Sequence, residues 1–393
     1  MGKPLKILFV PRWYPGRLDP MPGLFIKRQA EALAKRHSVM VIAVFPDPSS
    51  GKNFEVVHSE ENSVQVCRVY YKTSGGIPIL SKLINVLRYV RAHHLGYMSF
   101  MPFGVDIVHG HIFTREIFFA WFMAGKQHKP YVVSEHWSRY FPENGTYRGV
   151  IRKWMTRLLL KKAGGLIAVS GSLAEAMKAS GLEHPKTFVV PNVVDTGLYI
   201  PPAAKSPAAK AVILHVSCFE DKSKNITAFL DAMAELYSRR KDFNVLLVGE
   251  GPDRLAMTGH AYKLGLRYPQ TEFTGLKEGA ELISIYQSSS FLVQTSHYET
   301  FGTVVIEALA CGLPVVSTGT GIAPSVINKN NGILIQQSDV DQIVKAVDQM
   351  LNYYPTFEIG KLHETVSGTF SEETISENLS SVYYEIICAC QKD

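Results

Sequence analysis

The feature that most limits what this chain can fold into is a repeated alternation of short apolar runs with longer stretches of helical period. Lys6 to Val10, Val39 to Phe45, Val64 to Tyr71, Asp106 to Ile112, Tyr131 to Trp137 and Leu166 to Ser170 read as strands and their exits, with helices over Gly23 to Lys35 and Ile79 to Tyr97. Such alternation is the sign of βα units around a parallel sheet. It restarts at Ala211, with strands at Ala211 to Ser217, Asn244 to Gly249, Glu272 to Gly275, Ser290 to Gln294, Leu313 to Ser317 and Gly332 to Ile335. Between the halves, Pro201 to Lys210 has linker composition. At 393 residues two domains are expected, since single cores stop growing near ~250 to 300 residues. The predicted division is 1–200, 201–370 and a C-terminal helix within 371–393.

Composition excludes several classes. The formal charge of +6 is too diffuse for a nucleic-acid footprint, and zinc-finger spacings and aromatic RNA-binding motifs are missing. No stretch approaches the ~20 apolar residues of a membrane span. Residues 1–10 lack the length and cleavage site of a signal peptide. Cys67, Cys218, Cys311, Cys388 and Cys390 show neither a disulfide framework nor metal spacing, so they read as free thiols in a reducing cytoplasm.

The most informative stretch runs from Gln294 to Gly321. A strand ends at Gln294, a loop covers Ser296 to Phe301, and a helix over Gly302 to Cys311 leads into the next strand. Glu299 in the loop and Glu307 in the helix can both reach the space beyond the strand's carboxyl end, where open α/β sheets bind ligands. Gly302 and Thr303 stand at the helix start, whose free N–H groups and dipole favour a phosphate. A glutamate at a helix start is also an ordinary dipole partner, so spacing alone does not settle the roles of the pair.

Other residues are singled out by position. The loop Pro11 to Gly16 carries Arg12 and Trp13 from the first strand's end, and with Gly23 it lines a ligand cleft or forms a Pro-rich turn. His109 and His111 share one strand face; without an acidic third ligand they read as one packed and one cleft-lining histidine, not a metal site. His136 leaves the next strand as a cleft residue or a satisfied histidine. Lys222 and Lys224 enter a helix after the strand at Ala211, and a lysine there can neutralise charge on a departing diphosphate. Asp339 and Asp341 read as helix-start residues. Over residues 147 to 163, Ile151, Trp154, Met155, Leu158 and Leu159 form a stripe amid six basic side chains. It is read as core cover with a charged solvent face, or as peripheral contact with anionic lipid.

The central stretch resembles the E-x7-E segment of retaining glycosyltransferases of family 4 through Ser296, Glu299, Phe301, Gly302, Glu307, Ala308, Ala310, Gly312, Pro314, Val315 and Val316. The resemblance extends to Gly23 through Leu33, to Asn192 within Val189 to Asp195, and to Lys224. It implies a GT-B fold: two facing Rossmann-like domains with parallel sheets and a C-terminal helix crossing back to the first domain. It further implies a hexosyltransferase-type reaction, with retention, from a nucleoside diphosphate sugar such as a UDP-sugar to a hydroxyl acceptor in polysaccharide or lipid-linked glycan assembly. Neither metal nor cofactor is implied. Glu307 would hold the ribose, Glu299 and His136 the donor sugar, and Gly302, Thr303 and Lys224 the diphosphate, with Phe301, Lys222 and Asn192 alongside. Arg12, Trp13, Gly23 and His111 would face the acceptor, at the inner side of a membrane.

The chain departs from the family at Cys218, where arginine is usual, at Val193 and at Ser325. Cys218 motivates the reading of a catalytically impaired nucleotide-binding scaffold, and a GT-B nucleotide-sugar 2-epimerase is the other alternative.

Overall fold

The computed structural model describes residues 3–203, 210–336 and 339–390. Its first half runs β1 (Lys6–Pro11), α1 (Leu24–Ala34), β2 (Ser38–Pro46), β3 (Phe54–Glu61), β4 (Val64–Tyr71), α2 (Pro78–Phe100), β5 (Ile107–His111), α3 (Arg115–Gln127), β6 (Tyr131–Glu135), α4 (Val150–Lys162), β7 (Gly165–Ala168), α5 (Gly171–Ala179) and β8 (Thr187–Val189). The second runs β9 (Ala211–Val216), α6 (Asp221–Lys224), α7 (Ile226–Arg239), β10 (Phe243–Val248), α8 (Arg254–Lys263), β11 (Thr271–Gly275), α9 (Gly279–Ser288), β12 (Phe291–Gln294), α10 (Thr303–Ala310), β13 (Val315–Thr318), α11 (Ala323–Val326), β14 (Gly332–Ile335), α12 (Val340–Tyr353), α13 (Ile359–Phe370) and α14 (Glu372–Cys390).

Two sheets result. The first has the order β3-β4-β2-β1-β5-β6-β7-β8 and the second β11-β10-β9-β12-β13-β14. Every pair is parallel except β3 with β4. Parallel strands need cover on both faces, which is why β1, β5, β6 and β12 are almost wholly buried. On one face of the first sheet, Leu8, Met40 and Val108 pack with Tyr89, Ile117 and Leu160 from α2, α3 and α4. On the other face, Ile7, Phe9 and Val41 pack with Ile26 and Leu33 of α1 and with Leu379 and Tyr383 of α14. The last helix therefore does cross back: Tyr383 Oη lies 2.7 Å from His109 Nδ1, and Ser380 Oγ 2.7 Å from His37 Nε2. This is the GT-B arrangement.

Strand order reverses twice, between β1 and β5 and between β9 and β12, opening a crevice at each carboxyl edge. Contacts join the two halves there. Ser170 Oγ donates to the Thr300 carbonyl (2.6 Å), and Ser172 Oγ to that of Gly321 (2.8 Å).

Two elements differ from the expectations above. β3 was not expected, because Phe54–Glu61 carries three glutamates and a histidine; as an antiparallel edge strand it needs only one apolar face, and its charges blunt the edge. The helix over 147 to 163 begins at Val150, and its apolar stripe is not core cover. Only Leu159 of that stripe is buried, beside Thr156 and Leu160, while Ile151, Trp154, Met155 and Leu158 face solvent. Residues 204–209 of the expected linker lie outside the described residues. Asp339 caps α12 through a bond from the Gln342 N–H (2.8 Å).

Candidate active site

The crevice between the sheets is lined from the second half by His215 to Cys218, Lys224, Gln294, Ser296 and Glu299 to Val304, and from the first by Phe25, His136 and Asn192. Its focus is Glu299. The carboxylate Oε1 accepts from Lys224 Nζ (2.5 Å), Ser296 Oγ (2.8 Å) and Gln294 Nε2 (3.2 Å). Gln294 is itself held by Ser317 Oγ, which donates to its Oε1 (2.7 Å). Among the described residues all of these donors converge on one carboxylate oxygen, which leaves Oε2 for a ligand hydroxyl. Burial opposes the charge of Lys224, yet the Glu299 carboxylate outweighs it and holds the ammonium above its usual pKa. His215 lies behind the pair, bonded to the Val293 carbonyl (3.0 Å) and Ser217 Oγ (2.9 Å); burial pushes its pKa down to about 4, so it is neutral.

Gly302 turns the chain from the Glu299 loop into α10. Its φ of 87° lies in the left-handed region, and a Cβ there would stand 3.2 Å from Gln294 Nε2. The turn brings Thr303 and Val304, the first residues of α10, to the crevice lining beside Lys224, and a helix start next to a cation is suited to an anion.

The opposite wall is built on a carboxylate that sequence reasoning missed. Glu135 is fully buried at the end of β6 and accepts from the N–H groups of Phe113 (3.0 Å), His136 (2.8 Å) and Trp137 (2.8 Å) and from Tyr140 Oη (2.8 Å). These bonds fix the exit loop that carries His136. The His136 ring packs on Phe25 (centroids 4.7 Å apart), and its Nε2 lies 3.3 Å from His111 Nδ1. Burial pushes His136 down to about 3, against a smaller opposing effect of Asn192, so the imidazole is neutral and polar rather than cationic. Gln294 also escaped notice, and the only signal for it was its place at a strand end facing the loop.

The structure thus gathers Glu299, Lys224, Phe301, Gly302, Thr303, His136 and Asn192 in one crevice. It places the remaining candidates elsewhere. Glu307, one turn along α10 from Thr303, is buried behind the crevice wall with Tyr286 Oη donating to its Oε2 (3.0 Å). Burial raises its pKa, offset in part by Arg28 and by hydrogen bonds from Tyr286 and Tyr199. Lys222 Nζ reaches across to the Asn144 carbonyl (3.0 Å) rather than into the crevice. His111 is not cleft-lining but fully buried, stacked on His109 (3.9 Å) behind His136.

Arg12 is drawn away by Glu116 (3.0 Å), a buried carboxylate. Trp13 packs on Trp137 and Phe25, next to the crevice but not on its lining. Gly23 starts α1 at φ 81°, and a Cβ there would fall 2.3 Å from the Trp13 carbonyl oxygen, so its role is to let loop and helix meet. Among the described residues no cluster of His, Cys, Asp or Glu could hold a metal ion. A larger hollow beside β14, α12 and α13 shares no lining residue with the crevice.

Residues 23–198 match the family described as Glycosyltransferase Family 4, and residues 200–358 match Glycosyl transferases group 1. The two matches adjoin and run from the start of α1 to beyond α12. Each half of the chain thus matches a glycosyltransferase family model. Among curated proteins similar to this chain, a phosphatidylinositol N-acetylglucosaminyltransferase component of Arabidopsis thaliana is 24% identical over 204 residues, 52% of this chain and 45% of that protein. An uncharacterized glycosyltransferase of Methanocaldococcus jannaschii is 22% identical over 79% of this chain and 84% of its own length. D-inositol 3-phosphate glycosyltransferase of Corynebacterium diphtheriae is 31% identical over 41% of this chain and 39% of its own. Apart from the archaeal protein, the match spans under half the length of these relatives.

Two solved structures share the fold along the whole chain. Sucrose-phosphate synthase of Thermosynechococcus elongatus has a TM-score of 0.77 at 20% identity and covers 99% of this chain and 100% of its own. HepE of Anabaena in complex with UDP and glucose has a TM-score of 0.72 at 18% identity, over 97% and 100%.

Proposed function

We propose that this protein transfers a hexosyl group, with retention, from a nucleoside diphosphate sugar to an acceptor hydroxyl. The single observation that carries the reading is the Lys224–Glu299 pair beside the α10 start. There a cation and oriented N–H groups meet the place of a diphosphate, with a fixed carboxylate oxygen open to sugar hydroxyls. The bond between the anomeric carbon and the diphosphate oxygen breaks, and the acceptor oxygen bonds to that carbon on the same face. The acceptor proton passes to the departing phosphate oxygen. Lys224 and the α10 N–H groups stabilise the charge that develops there, and neutral His136 serves as a hydrogen-bonding partner of the sugar. Because these groups carry the charge, the proposal includes no metal.

A UDP-sugar is the favoured donor, consistent with the UDP bound by HepE. Glu307 would take the ribose hydroxyls, which requires Tyr199 and Tyr286 to yield their bonds to it. Trp13 and Gly23 shape the acceptor side through the Trp13–Phe25–Trp137 cluster, while Arg12 stays paired with Glu116. A glycan or lipid-linked acceptor fits this reading, with the protein at the inner face of a membrane.

The test is a panel of uridine and guanosine diphosphate sugars, scored by binding heat and slow donor hydrolysis for wild type and Glu307→Ala. One donor bound and hydrolysed by wild type, and lost in the variant, is the expected result. Binding of every donor that ignores Glu307 would refute the site assignment. Conversion of the donor sugar without acceptor or hydrolysis would mean epimerisation instead.

A further inference from the structure

Helices α2, α3 and α4 form one layer on the first sheet, each contributing side chains to the same core. They lie side by side: the Arg115 guanidinium of α3 sits 4.6 Å from the Tyr89 ring of α2, and Lys162 Nζ of α4 sits 5.5 Å from the Trp121 ring of α3. Their inner faces account for the burial that a helix over a sheet needs. Their outer faces should then be polar, and they are not.

In α2 no residue from Pro78 to Arg88 is buried, and the inward stripe begins at Tyr89. Yet Leu80, Leu83 and Leu87, spaced by three and four, form a second apolar stripe turned to solvent, with Leu87 61% exposed. On α3, Phe122 is exposed, and on α4 Ile151 and Trp154 are 75% and 60% exposed. An apolar surface of this extent, shared by three neighbouring helices, marks a contact surface rather than scattered exposure.

Charge selects the occupant. The three helices carry three, two and five lysines and arginines, and their one acidic residue, Glu116, is buried against Arg12. These helices therefore hold a net charge of +9 in a chain of +6, so the remainder is net acidic. A second copy docked by a two-fold axis would set ten cations against ten, which repels. An anionic bilayer offers the complement of both properties, with headgroups for the basic rim and acyl chains for the leucines and tryptophan.

We propose that the outer face of α2, α3 and α4 is a docking surface for an anionic lipid bilayer, entered by Leu80, Leu83, Leu87, Ile151 and Trp154 and rimmed by Arg88, Arg152 and Lys153. The sequence pointed only to α4; the structure adds α2 and α3. The docking rests on these observations alone, and only the presentation of a lipid-linked acceptor at this surface rests on the proposed function.

The test uses the full chain in vesicle co-sedimentation at low salt, with 30% phosphatidylglycerol in phosphatidylcholine against phosphatidylcholine alone. Two variants accompany wild type, Leu83→Glu with Leu87→Glu, and Arg152→Glu with Lys153→Glu. Leu83, Leu87 and Arg152 are exposed and Lys153 is half-buried, and the hydrogen bond lost is that from Arg152 to the Thr146 carbonyl, so both melting temperatures should stay close to wild type. The expected result is at least tenfold more protein bound to the anionic vesicles, a tenfold loss in either variant, and release in 0.5 M NaCl. A quench of Trp154 by brominated acyl chains, absent in Trp154→Phe, would place that side chain in the bilayer. Equal binding to both vesicles, or binding unchanged in the leucine variant, would overturn the proposal. So would a concentration-dependent dimer abolished by the same leucine variant, since a second copy would then cover the face. Vesicle binding without donor hydrolysis would sink the proposed function and leave the docking surface standing.

Discussion

Replacing Lys224 by methionine is the most telling perturbation of the crevice, because it removes one charge and keeps most of the side-chain volume. The ammonium lies 2.5 Å from Glu299 Oε1, and the two side chains are only 16% and 11% exposed. Removing one partner of a fully buried pair typically costs about 3–5 kcal/mol, since the other charge is left without compensation. Glu299 would keep its bonds from Ser296 and Gln294, which places Lys224→Met nearer about 2–3 kcal/mol. In domains of this size that lowers the melting temperature by roughly 5–10 °C.

Catalysis should suffer more. Losing one preformed group at the developing charge costs on the order of 100- to 1,000-fold in rate, so donor hydrolysis should fall by that factor with a smaller change in KM. The double variant Lys224→Met with Glu299→Gln separates the effects. It removes the uncompensated charge, so scanning calorimetry should show most of the stability regained while activity stays low. If Lys224→Met melts like wild type and turns over within threefold of it, the pair is neither a structural tie nor a catalytic one.

Other outcomes follow from the same geometry. Burial holds the folded pKa of Glu307 above its unfolded value, so the stability it contributes is full at low pH and is lost as pH rises through the folded pKa. Glu307→Gln should accordingly melt higher than wild type at pH 8 and no higher at pH 4, while losing nucleotide binding heat. Buried His93, His136 and His215 are neutral, with pKa values pushed down to about 4, 3 and 4, so their contribution is complete above pH 6.5 and is lost as pH falls. At pH 5 each costs about 2 kcal/mol, and the urea midpoint should drop steeply between pH 6.5 and 5; a flat profile would contradict their neutral burial. Cys218 is exposed on the crevice wall, and Cys218→Arg should tighten donor binding about three- to tenfold by supplying a second cation. Because Lys224 and the α10 N–H groups carry the charge, EDTA should leave donor hydrolysis intact, and a strict divalent requirement would refute that mechanism.

What the sequence determined by itself is whatever depends on local period and short motifs. Strands such as β1 and β12 announce themselves because both faces are buried, which demands an unbroken apolar run. The Glu299–Gly302–Thr303 turn was legible because a left-handed glycine, a helix start and a carboxylate must follow one another along the chain. β3 was not legible, because an edge strand with one apolar face can carry glutamates.

Tertiary structure alone decided which side chains meet. Lys224 and Glu299 are 75 residues apart and become partners only because β9 and β12 are neighbours at the switch point of the sheet. The same placement set Glu307 behind Tyr286, His111 behind His136, and Arg12 against Glu116. In each case a buried polar group took the nearest partner that the packing brought to it. The amphipathic pattern of α4 was visible from the sequence, but not the direction in which its stripe points. A helix with apolar residues on two sides can bury either, and the choice belongs to the sheet beneath it.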